Sequence, residues 1–94
     1  MDKGLIFKTL LDVAHNKGYR VSFVPFQAYN GRVQGDRIGI RIDLSIEDIN
    51  YVLAHELAHI HLHTGNLLGS DIEKECEIQA DKAANMVLDV LQSV

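Results

Sequence analysis

His55 and His59 stand four residues apart, with Glu56 directly after the first. On a helix, positions i and i+4 share one face a turn apart, so both imidazoles can reach one ion. Glu56 is rotated off that face, towards the place of a water on such an ion, and is the natural base for it. The run His55-Glu56-Leu57-Ala58-His59 reads H-E-x-x-H. The chemistry that pattern implies is zinc-assisted hydrolysis of a peptide bond. It requires a helix beneath it and a third ligand, because a catalytic zinc takes three protein ligands and keeps one position open.

The helix is predicted from Ser45, a good N-cap, with Glu47 and Asp48 in its first turn. Ile46, Ile49, Val52, Leu53, Leu57, Ile60 and Leu62 cover most of its circumference, which predicts burial. Thr64-Gly65 ends it. Four of the five histidines fall between positions 55 and 63. On a buried helix they are costly unless satisfied, and a metal satisfies them directly. A short loop, Asn66 to Ser70, leads to a helix over about Asp71 to Gln92. Its inward stripe is Ile72, Cys76, Ala80, Ala83, Ala84, Val87 and Leu91. Folded back antiparallel across that loop, it offers Glu73, Glu75, Glu77 and Asp81 as third ligands. Glu73, beside Lys74, reads as solvated surface. Glu77 and Asp81 share one face at the border of the alanine stripe, where the two backbones can come close. Glu75 is the rival position.

Upstream, Leu5, Ile6, Leu10, Val13 and Ala14 recur at helical spacing over about Lys3 to Asn16, with Gly18 as the stop. Val21 to Phe26 suggests a strand, closed by the only proline, Pro25. Gly31 and Gly35-Asp36 mark turns. Ile38, Ile40 and Ile42 alternate with Gly39, Arg41 and Asp43, as in a half-buried strand. The expected fold class is α+β: an N-terminal helix, a small antiparallel sheet, a site-bearing helix and a second metal-ligand helix.

With 94 residues the chain is read as a single domain over 1–94, with a small core. Its 47% hydrophobic content excludes a disordered chain. A net charge of -4 without a block of like charges points away from nucleic acid and from an anionic membrane surface. No run reaches membrane-spanning length, and Lys8 and Asp12 interrupt the start, so no signal peptide is read. A lone cysteine, Cys76, excludes an internal disulfide and a multi-cysteine zinc site, and points to the cytoplasm.

His55-Glu56-Leu57-Ala58-His59-Ile60-His61-Leu62-His63, followed by Glu77-Ile78-Gln79-Ala80-Asp81, resembles the ImmA/IrrE family of small metallopeptidases. The strand Arg37 to Asp43 leading into Ser45 is similar too, and the resemblance runs from about Gly31 to Leu91. It implies a minimal zincin-like fold of gluzincin plan, of the kind carried by phages and mobile elements. The glutamate of its E-x-x-A-[ND] segment is the third zinc ligand, which falls on Glu77, and the following acid falls on Asp81. Zn2+ is then held by His55, His59 and Glu77, with Glu56 catalytic. Asp81 is read as orienting a histidine through its second ring nitrogen. The resemblance also implies a protein or peptide substrate, in particular a helix-turn-helix transcriptional repressor. Ala58 departs from a common glycine of the motif, and Ala83 from a frequent phenylalanine.

The competing reading is a catalytically silent metal-bearing module that regulates a partner by binding it. Among the other polar residues, His61 and His63 suit the carbonyl-rich end of a helix. His59 and His63 could form a displaced pair, without a base beside it. Tyr19, Tyr29 and Tyr51 are oxyanion candidates by residue type alone. Cys76 reads as a small core residue. Arg20, Arg32, Arg37 and Arg41 read as solvated β-region residues able to meet an acidic segment. The strand Ile38 to Ile42 is expected to offer an edge to an extended substrate.

Overall fold

A computed structural model describes residues 1–62 and 70–94. The first helix, α1 (Lys3–Asn16), opens on Asp2, whose side chain accepts from the Leu5 N–H at 2.8 Å. It closes before Gly18, which has a φ of 86° that only glycine takes without strain. Ile6, Leu10 and Ala14 are its buried stripe.

Three strands follow: β1 (Arg20–Val24), β2 (Gly31–Gln34) and β3 (Arg37–Arg41). Their spatial order is β1-β3-β2. Gly35-Asp36 is the predicted turn, with Gly35 at a φ of 61°, and it pairs β2 antiparallel to β3. β1 pairs parallel to β3. The sheet is therefore mixed, a correction to the antiparallel expectation. The reason lies in the link over residues 25–30, which is long enough to carry the chain past the end of β3 to its far side. There the Arg41 N–H donates to the Asn30 carbonyl and the Ile42 N–H to that of Val24.

A second correction follows. β3 is the central strand, with both edges paired, and the edges of the sheet are β1 and β2. Ile38 and Ile40 are fully buried against the helices, but the strand ends at Arg41 and Ile42 is exposed. Gly39 is buried on the opposite face because the Phe26 ring folds onto it; a Cβ there would meet that ring at 2.8 Å.

Helix α2 (Ile46–Leu62) starts after Ser45, whose Oγ accepts from the Asp48 N–H at 3.2 Å. Its buried residues are Asn50, Val52, Leu53, Ala54 and Leu57, while Ile46 and Leu62 are exposed. It is thus one-sided rather than buried all round: α1, the sheet and α3 cover only part of it. Helix α3 (Ser70–Gln92) buries Cys76, Ala80 and Ala84 and packs most extensively on α2. Val87, placed in the inward stripe from sequence, is exposed. The expected helix end at Thr64-Gly65, the loop from Asn66, and His63 lie outside the described residues. Among the described residues no helix is long and apolar enough to cross a membrane.

Candidate metal centre and active site

Short alanines bring α3 close to α2. Ala80 and Ala84 have no exposed surface, so the turn of α3 carrying Glu77 and Asp81 lies against the turn of α2 carrying His55 and His59. Nε2 of His59 is 3.1 Å from Nε2 of His55 and 2.8 Å from Oε1 of Glu77. Nε2 of His55 is 3.1 Å from Oε2 of Glu77. Two imidazole nitrogens and a carboxylate thus crowd one spot.

A tetrahedral ion about 2.0–2.1 Å from its donors would hold them about 3.3–3.4 Å apart. The observed separations are slightly tighter and need only a small opening, so His55, His59 and Glu77 fit a divalent cation. They are also the one His/Cys/Asp/Glu group of suitable spacing among the described residues. The histidine side chains are largely covered, 14% and 20% exposed, whereas Glu77 is 59% exposed. The site is therefore open to solvent on the α3 side.

Glu56 lines the same pocket, with Tyr29, Asn30, Gly31, Tyr51 and Val52. Burial raises its carboxyl above the ordinary glutamate value; nearby His55 opposes that rise and Glu77 adds to it. Gly31 brings β2 against this turn. A Cβ there would stand 2.3 Å from Val52 Cγ1 and 3.5 Å from Glu56 Cγ. Only glycine permits that approach.

On the other side of His55, Oδ1 of Asp81 lies 2.9 Å from Nδ1. The contact is within ion-pair distance but not aligned as a hydrogen bond, and Nδ1 is buried. The Tyr51 hydroxyl donates to the same Asp81 oxygen. Burial, then the Asp81 carboxylate, pushes the Tyr51 hydroxyl up to about 12. Sequence reasoning missed this link, although Tyr51 stands one turn before His55 and its ring packs 5.9 Å from the imidazole. Tyr29 lies across the pocket mouth, while Tyr19 packs on the core. Glu73 and Glu75 are exposed and outside the cluster, and His61 is exposed.

A small α+β chain with two histidines and a carboxylate converging from two helices is, by fold and site, a candidate metalloenzyme. The model of the IrrE N-terminal-like domain, a peptidase family (Peptidase_M78), matches residues 11–88, and the chain belongs to that family. No curated protein and no solved structure matches it.

Proposed function

We propose that this protein is a zinc-dependent peptidase that cleaves a partner regulatory protein at a specific site, the family pointing to a helix-turn-helix repressor as that partner. The observation carrying this reading is the convergence of His55, His59 and Glu77 beside Glu56, in a chain of a peptidase family. His55, His59 and Glu77 hold the ion. Zinc bound there supplies Lewis acidity to the scissile carbonyl and to the attacking water. Glu56 takes a proton from that water and delivers it to the leaving amine nitrogen. Its raised proton affinity, from burial, suits both halves of that transfer. Asp81, itself held by Tyr51, keeps the His55 ring turned so that Nε2 faces Glu77. Among the described residues no strand pairs with the outer side of β2, which starts at the pocket with Gly31, so an extended substrate pairs there rather than on β3. The cytoplasm is the compartment this reading assigns.

Co-expression with a candidate repressor tests the reading. Wild type produces repressor fragments detectable by mass spectrometry, and Glu56→Gln produces none. Equal relief of repression by both proteins, without fragments, would replace it with the silent binding module.

A further inference from the structure

The chain has four arginines, and all four stand on the sheet face turned away from the helices. Register sets them in rows. Arg20 lies beside Arg37, which lies beside Gln34; Ser22, Gly39 and Arg32 form the next row; Val24 and Arg41 the third. The lysines are all elsewhere, on α1, just after it, or on α3. Like charges on neighbouring strands are unfavourable. Yet among the described residues neither Arg20 nor Arg37 has a carboxylate within ion-pair distance, and only Arg41 is paired, with Asp43. Arg32 and Arg37 line a groove floored by Gly39 and the Phe26 ring, with Asp36 the one acid on its lining.

This groove borders the candidate active site. Tyr29 lines the Glu56 pocket, carries the Arg32 guanidinium 5.4 Å from its ring centre, and meets Phe26 edge-on at 5.8 Å. Arg32 and Phe26 in turn line the groove. A chain leaving the pocket over the β2 edge therefore passes directly onto the arginine face.

We propose that this arginine face is a docking site for an acidic, extended segment of the protein on which the His55–Glu56–His59 site acts. The "acts on" half rests on the function proposed above; the docking half does not. Guanidinium groups recognise carboxylates through two parallel N–H donors, which lysine cannot do. Three strands give a face about 10 Å wide and five residues about 17 Å long, the footprint of one extended peptide. Nucleic acid fits less well. Of the chain's 13 carboxylates, Asp36 lines the groove and Asp43 pairs with Arg41; the other 11 stand elsewhere with all five lysines, so a phosphate backbone reaching beyond the sheet meets repulsion.

The test is fluorescence anisotropy with a labelled oligoglutamate peptide at low salt, on Glu56→Gln protein so that no turnover intervenes. An oligolysine peptide and an oligothymidylate serve as comparisons. The Glu56→Gln protein binds oligoglutamate and not oligolysine. Adding R20Q and R37Q weakens binding about tenfold, while adding K8Q and K74Q, which remove the same charge elsewhere, leaves it unchanged. Circular dichroism checks that each variant is folded. Absence of oligoglutamate binding, equal weakening by the lysine pair, or tighter binding of oligothymidylate overturns the proposal. Because the readout is binding, a failure of hydrolysis in wild type leaves this result standing and counts only against the peptidase reading.

Discussion

Asp81 holds its Oδ1 2.9 Å from the Nδ1 of His55, while the Nε2 of the same ring faces Glu77. The imidazole thus has a carboxylate close to each of its nitrogens, the two standing one turn apart on α3. Groups of this kind behind a metal-ligating histidine contribute about 10–100-fold to affinity. Asp81→Ala is therefore expected to weaken zinc binding by about that factor, measured by competition with a chromophoric chelator. Tyr51→Phe, which leaves the carboxylate in place, has a smaller effect.

Glu56→Gln removes the proposed base but no proposed ligand. Hydrolysis of a cleaved partner falls about 10²–10⁴-fold, and zinc content is retained. The same substitution acts on stability. Burial raises the Glu56 carboxyl in the folded protein, so folding favours its neutral form. That contribution is present at low pH and is lost as pH rises through the raised value. Metal-free Glu56→Gln is therefore more stable than metal-free wild type at neutral pH, and the difference shrinks below the ordinary glutamate value of 4.5. Thermal unfolding at both pH values in a chelator measures it.

Gly31→Ala places a methyl 2.3 Å from Val52 Cγ1, on a buried side chain with one favoured rotamer. Overpacking of this kind costs about 1–3 kcal/mol, or about 4–8 °C in Tm per kcal/mol for a domain of this size. The strand or helix must shift, and Glu56 shifts with it, so activity falls as well. Val52→Ala makes room. The double variant is expected to lose less stability than the two single losses summed, which a double-mutant cycle reads directly.

Lys3 and Glu47 form an ion pair that ties the start of α1 to the first turn of α2. The hydrogen bond from Lys3 holds the Glu47 carboxyl below its ordinary value of 4.5. A depressed acid stabilises the fold above its unfolded pKa and loses that contribution as pH falls through the folded value. Both groups are exposed, so the effect is small and screened by salt. Glu47→Gln lowers Tm slightly at neutral pH and low salt, and not at all once both states are protonated or salt is high.

The site-bearing part of the chain was legible because its signals are local. The i, i+4 spacing, the Ser45 cap and the alanine stripe each act within a turn or two of helix, and together they specify which faces meet. They put Glu77 and Asp81 on the face that meets His55 and His59, while the choice of Glu77 over Glu75 as the ligand came from the family resemblance. The sheet was less legible. Alternation along Ile38 to Ile42 says which face is buried but not which strand lies alongside, so the parallel β1 neighbour and the loss of a free β3 edge had no local sign. Gly31 read as a turn and Gly39 as an ordinary outward position of a strand, whereas each marks a close approach, of Val52 and of Phe26. The Tyr51–Asp81 link spans 30 residues, and nothing in the helix pattern distinguishes it from ordinary packing.

The most direct measurement is metal content of untagged protein by elemental mass spectrometry, wild type beside Glu77→Ala. The three-ligand site predicts near-stoichiometric zinc in wild type and its loss or weakening in the variant. Wild type that takes up no zinc after reconstitution, or a Glu77→Ala variant that binds zinc as tightly as wild type, would contradict it.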